Sequence, residues 1–191
     1  LLRFSSKLEY SKVTNNKNSF IFIVGMPRSG STLAESIISM NNKVCDLGES
    51  RYLEEAYSES NVIANINNVS RIRKLYCEKI NNRIGNKRRE DIITTDKQLY
   101  NFAYTGLIVS QFPEAKIIHC IRNPLDNILS IYRAHFATES RYSSSLSDCV
   151  KVYSLHQRAM NFYKSKFKSN IYTLDYDILV DSPENEIKRI I

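Results

Sequence analysis

The run Ser19-Phe-Ile-Phe-Ile-Val24 constrains this chain more than any other feature. Its β-branched and aromatic residues are consecutive instead of alternating with polar ones, the pattern of a strand buried on both faces. Such a strand belongs inside a sheet that has helices on each side. It runs directly into Gly25-Met-Pro-Arg-Ser-Gly30, and a helical pattern follows from Ser31 to about Met40.

The same alternation continues along the chain. Helical periodicity covers Tyr52–Glu59 and Val69–Arg83, and Ile92-Ile-Thr-Thr95 reads as a second strand ending in Asp96-Lys97. A helix is expected from about Tyr100 to Gln111, stopped before Pro113. Lys116-Ile-Ile-His-Cys-Ile121 is a third buried strand, and Asn123-Pro124 supplies an N-cap and an N1 proline for a helix reaching about Phe136. A long helix over Leu146–Phe167, a strand over Asn170–Asp175 and a helix opened by Ser182-Pro183-Glu184 complete the pattern. Strands alternating with helices imply an α/β fold, a three-layer domain with a central parallel sheet flanked by helices, and the Gly25-x-x-x-x-Gly30 turn after the first strand places it among folds of the P-loop type. Ligands of such sheets sit at the carboxyl ends of the strands.

Composition excludes several classes. A chain of 191 residues has room for one α/β domain of ordinary size. Its 42% hydrophobic and 25% charged residues argue against disorder and against a coiled coil. No apolar run approaches the ~18 residues of a membrane span, and no signal-peptide apolar region is visible. A cytoplasmic protein without a membrane span is therefore expected. The 4 cysteines are scattered with no C-x-x-C pair, so buried free thiols are expected in place of a zinc knuckle or a disulfide framework. Residues 1–18 read as a polar lead-in, helical or loose, and residues 19–191 as the domain. The sequence opens on Leu1 and stops inside a helical pattern, so a domain truncated at its C-terminus is expected.

The formal charge of +7 favours anionic partners. Part of it lies in Lys87-Arg88-Arg89, which reads as a solvated loop. Basic residues interleaved with exposed aromatics, as a nucleic-acid surface requires, are not found, and no nucleic-acid partner is expected.

Two strand-to-helix turns carry the chemistry. Gly25-x-x-x-x-Gly30-Ser31-Thr32 has the skeleton of a phosphate-binding loop, whose backbone N–H groups and helix N-terminus surround an anion. The hydroxyls of Ser29, Ser31 and Thr32 add donors. Nucleotide triphosphatases need Lys directly after the second glycine; here that position is Ser31, and the cation sits inside the loop as Arg28. No apolar strand ends in a carboxylate suited to hold magnesium. The second turn, Arg122-Asn-Pro-Leu-Asp-Asn-Ile-Leu-Ser130, offers an arginine and a hydroxyl at a reach that suits another phosphate. Together they describe a ligand with two separate anionic groups.

With those motifs the chain resembles the sulfotransferases that use 3′-phosphoadenosine 5′-phosphosulfate (PAPS), in particular the bacterial tetratricopeptide-linked members and the tyrosylprotein sulfotransferases. Ile23-Val-Gly-Met-Pro-Arg-Ser-Gly-Ser-Thr-Leu33 is similar to their 5′-phosphosulfate loop, and Ile118-His-Cys-Ile-Arg-Asn-Pro-Leu-Asp126 with Ser130 to their 3′-phosphate element. Gly48-Glu49, Asp96-Lys97 and Asp175-Tyr176-Asp177-Ile-Leu-Val180 fall where the family has corresponding segments. One departure is Gln98-Leu99, where the family has Met-Pro, so the turn holding Lys97 need not follow the family's.

The resemblance implies PAPS as co-substrate and no metal, because sulfuryl carries less charge than a terminal phosphate and fixed cations with backbone amides can stabilise it. Arg28, Ser29, Gly30, Ser31 and Thr32 would bind the 5′-phosphosulfate. Arg122 and Ser130 would bind the 3′-phosphate, with Tyr176 beside the nucleotide. Lys97 would neutralise the leaving oxygen. None of His119, His135 and His156 is placed to serve as a base, so each is expected to be packed or on the surface. Glu49 is the expected general base, against capping the Tyr52–Glu59 helix or pairing with Arg51. The acceptor (protein tyrosine, carbohydrate or small molecule) is not legible. A P-loop nucleotide kinase and a PAP-binding remnant without turnover remain the alternatives.

Overall fold

The structure is a computed structural model that describes residues 19–190 apart from 64, 86–91, 135 and 137. The lead-in, the Lys87–Arg89 cluster and His135 lie outside the described residues. Five strands form one parallel sheet in the order β2-β3-β1-β4-β5. They are β1 (Ser19–Gly25), β2 (Val44–Asp46), β3 (Ile93–Asp96), β4 (Lys116–Ile121) and β5 (Ile171–Asp175). β1 lies at the centre, with Phe22 opposite Asp96 of β3 and Gly25 opposite Cys120 of β4. That register brings the ends of all five strands to one edge, with Ile121 opposite Asp175 and Asp46 opposite Thr95.

Alternation along β1 divides the core between the two faces. Phe20, Phe22 and Val24 pack with α2 (Tyr52–Ser60), α3 (Val69–Ile84), α4 (Thr105–Gln111) and α6 (Leu146–Lys166) through Leu53, Tyr76, Phe112 and Met160. Ile23 faces the other way, onto α1 (Ser31–Ile38), α7 (Tyr176–Asp181) and α8 (Pro183–Ile190), through Ala34, Ile37, Leu179 and Ile187. The three-layer arrangement expected from the sequence is present. α5 (Pro124–Arg133) packs beside α6 around Met26, Ile131, Cys149 and Tyr153. Among the described residues no helix is long and apolar enough to cross a membrane.

Two elements differ from the sequence reading. The helix expected from about Tyr100 to Gln111 is a 3-10 segment, Leu99–Tyr104, followed by α4. Asn101 donates to Asp96 at 3.4 Å, which ties the first turn to the end of β3 before the regular helix can start. Asp175-Tyr176-Asp177 opens a short helix, α7, because Asp175 accepts from the backbone N–H groups of Asp177 and Ile178 and caps it.

His119 of β4 and His156 of α6 meet inside the core, Nε2 to Nε2 at 2.9 Å, both fully buried. One imidazole donates and the other accepts, and burial keeps both neutral. Burial holds the His156 pKa down to about 4 and that of His119 lower still, with Lys164 adding to both. The sign follows. Above about pH 6.5 folded and unfolded histidines are both neutral; below it the unfolded chain takes up protons that the folded pair refuses. Asp96, whose pKa burial raises to about 6, and Glu35, also raised by burial, each oppose this with a proton taken up at lower pH. Stability measured by urea melts is therefore expected to fall as pH drops from about 6.5 towards about 6, by up to about 1.4 kcal/mol per pH unit for each proton refused, and to level off below that as the two acids take up their protons. His156→Phe is expected to flatten that slope.

Candidate active site

The loop after β1 takes its shape from two glycines and one strained arginine. A Cβ on Gly25 would lie 2.6 Å from the carbonyl oxygen of Cys120, so the loop can leave β1 beside β4 only with glycine. Arg28 and Gly30 both adopt the left-handed region, with φ of 67° and 85°. For Arg28 this conformation costs about 1–2 kcal/mol, and the surrounding structure holds it there. Ser29 is buried and its hydroxyl donates to the Met26 carbonyl at 2.7 Å, turned into the loop. Asn127, buried on α5, donates to the Pro27 carbonyl at 2.8 Å and ties the loop to the neighbouring helix. Ser31 is buried at the start of α1 and Thr32 is exposed beside it.

The turn after β4 meets this loop. Asn123 caps α5 by accepting from the N–H groups of Leu125 and Asp126. Across the gap, Arg28 Nε donates to Ser130 Oγ at 3.2 Å, so the cation of the first turn touches the hydroxyl of the second. Arg122 lies with its guanidinium 5.0 Å from the centre of the Tyr176 ring. Its Nη1 makes a long 3.5 Å contact to the Arg28 carbonyl, and its buried Nε has no hydrogen-bond partner. Tyr176 lies against Gly30, where a Cβ would run into its ring. The backbone N–H of Asn123 donates to Asp177 at 2.7 Å and joins the β4 and β5 turns. Neither Arg28 nor Arg122 has a carboxylate partner among the described residues. Two unneutralised guanidiniums beside a helix N-terminus are arranged to attract an anion.

The β3 end is built differently. Leu47 N–H donates to the Thr95 carbonyl at 2.9 Å and Lys97 N–H to the Gly48 carbonyl at 2.8 Å. Gly48-Glu49 is thereby held beside Asp96-Lys97. Asp96 is buried and receives bonds from Ser50, Tyr76, Gln98 and Asn101, so it orders the turn and has no contact with the lysine head. Lys97, with only 8% of its side chain exposed, donates to Glu49 at 2.9 Å and has Glu35 at 3.9 Å. Glu49 is 68% exposed, and Arg51 stands at the N-cap of α2 and binds Glu54.

The structure thus brings Arg28, Gly30, Arg122, Ser130 and Tyr176 together at one end of the sheet, with Lys97 and Glu49 paired at the end of β3. His119 and His156 are packed in the core. Glu35 and Asn127 were not singled out by the sequence. Each is a polar residue on the buried side of an amphipathic helix, which is the one signal that could have found them.

The sequence model of the sulfotransferase family matches residues 20–191. The chain belongs to the sulfotransferase family. A protein of Aquifex aeolicus (strain VF5) described only as uncharacterized is 30% identical over 189 residues, which cover 90% of this chain and 25% of that protein. The chain therefore spans about a quarter of that relative's length. Among solved structures, a sulfotransferase from Alicyclobacillus acidocaldarius is similar with a TM-score of 0.58 and 14% identity, covering 93% of this chain and 79% of the other. That likeness supports the fold.

The packing of Gly30 gives a direct test. Gly30→Ala is expected to lower stability by at least about 1–2 kcal/mol, the cost of a left-handed non-glycine residue, and more because the Tyr176 ring must move. Adding Tyr176→Ala should recover the contact part of the loss in urea melts and leave the backbone part.

Proposed function

We propose that this chain transfers a sulfuryl group from PAPS to a hydroxyl or amine acceptor. The observation that carries this reading is the meeting of Arg28, on the β1 turn, with Ser130, on the β4 turn, while both Arg28 and Arg122 lack a carboxylate partner among the described residues. Such a pair of turns suits one ligand with two anionic groups, and PAPS is such a ligand. Ser31 in the position of the kinase lysine agrees with it.

In this reading the backbone N–H groups of residues 28–32, the Arg28 guanidinium and the hydroxyls of Ser31 and Thr32 bind the 5′-phosphosulfate. Ser29 contributes its backbone N–H, since its hydroxyl is directed to Met26. Arg122 and Ser130 bind the 3′-phosphate, and Tyr176 holds the Arg122 guanidinium flat beside it. The acceptor oxygen attacks sulfur in line with the bridging oxygen. The new S–O bond forms as the bond from sulfur to the bridging oxygen breaks, and the products are PAP and a sulfate ester. The acceptor proton goes to Glu49. Charge that builds on the bridging oxygen is met by Lys97. An ordered chain of fixed dipoles and cations does this with little reorganisation at the moment of transfer.

The binding half is tested by melting. PAP is expected to raise the melting temperature more than AMP, which lacks the 3′-phosphate, and the gain should survive EDTA. Equal shifts would remove the second anion site from the reading. The chemical half is tested by isotope transfer from labelled PAPS to a panel of acceptors. Lys97→Ala should chiefly lower turnover, Arg28→Ala should weaken PAP binding, and Glu49→Gln should lose about 10²–10⁴-fold in rate while keeping PAP affinity. Normal turnover in Glu49→Gln would reassign the base.

A further inference from the structure

Glu35 stands where α1 should be apolar. Its neighbours Ala34, Ile37 and Ile38 pack on the sheet, and Glu35 is buried with them. A carboxylate in that position is unfavourable unless it is paired and hydrogen-bonded. Thr95 Oγ1 donates to it at 3.1 Å, the nearby Gly48 backbone N–H favours its charged form, and Lys97 Nζ lies 3.9 Å away.

One nearly buried lysine therefore has two acids of opposite character. Glu35 is fixed between helix and sheet. Glu49 is exposed and on a turn, yet it makes the closer contact, 2.9 Å. If Glu49 takes a proton from an acceptor, it must turn away from Lys97. The ammonium then has to keep its place at the end of β3 without it. An ammonium has three donors, so it can keep one acid and still direct a hydrogen at a leaving oxygen.

We propose that Glu35 is the positioning residue of this site, the fixed counter-charge that holds Lys97 in place while Glu49 engages the acceptor. The inference rests on the sulfotransferase reading. The groups that face Glu35 are Thr95 and Lys97 from the β3 end, Gly48 and Asp46 from the β2 end, with buried Asp96 and exposed Glu49 next to them. Burial is the largest influence on Glu35 and raises its pKa, Asp46 raises it further, and Lys97 and Thr95 pull it back. With Glu35 uncharged, Lys97 has only Glu49 as a counter-ion. That pair tightens, Glu49 becomes a weaker base, and the lysine is drawn toward the acceptor side.

The test uses the intact chain with labelled PAPS, comparing wild type, Glu35→Gln and Glu35→Asp. Wild-type turnover is measured first; its absence overturns the sulfotransferase reading and this role with it. With wild type active, E35Q is expected to lose about tenfold to a hundredfold in kcat, the scale of a misplaced catalytic group. Its donor KM and PAP-induced melting shift should stay within about twofold, and the acid limb of its pH–rate profile should move to lower pH. E35D keeps the charge and should turn over faster than E35Q. Wild-type kcat and an unmoved acid limb in E35Q overturn the proposal and leave the sulfotransferase reading standing. So does an E35D no faster than E35Q, because shape and not charge would then be what matters. Should E35Q fail to fold, E35D alone decides: turnover within about tenfold of wild type supports the role, and a larger loss in a folded E35D overturns it.

Discussion

β1 is hydrogen-bonded to a parallel neighbour along each edge and covered by apolar helices on each face. A strand so enclosed cannot slip by one residue without turning its aromatic side, Phe20 and Phe22, into the space of Ile21 and Ile23. The positions of the β3 and β4 ends are set against it, and through them those of β2 and β5. Most of the functional groups described above stand on the turns at those ends, with Glu35 and Ser130 on the helices that follow them. The precision of the site is therefore a property of the central register more than of the loops that display the residues.

Much of this was open to a reader of the sequence. An unbroken apolar run, then a glycine-bounded turn, then a helix, leaves few folds to choose from, and the Asn123-Pro124 cap dates the start of α5 to the residue. Gly48-Glu49 could be placed beside the other motifs through the resemblance, and β2 brings it there. What could not be read was contact across elements. The alternatives for Glu49 were local, a cap or Arg51, whereas the lysine it contacts follows β3, 48 positions away. The 3-10 segment over Leu99–Tyr104 was hidden for the same reason. Its helical periodicity is real, but the bond from Asn101 to a buried aspartate is visible only once Asp96 is known to be inside.

Charge is distributed unevenly over the strand ends. The β1 and β4 turns carry arginines with no acid against them among the described residues, whereas the β3 end sets Glu35 and Glu49 against one lysine. In the proposed reading, a negative ligand is drawn to the arginines first, while the acids beside the lysine hold it off. That division separates affinity from chemistry in a way that suits a group-transfer enzyme, because tight binding of the product need not weaken the step that makes it.

The contact between Tyr176 and Gly30 has a consequence for how the protein is made. The anion loop belongs to the first strand, yet its floor comes from the turn after the last strand, and the partner of Arg28 is 102 positions further along the chain. Contacts so distant in sequence close late. A ribosome that has released β1 and its loop has produced the outline of a binding site without its supports, and those arrive only when β4, α5 and β5 have followed. If this is where PAPS binds, as proposed, the nascent chain cannot capture it in this manner until the parallel sheet is assembled.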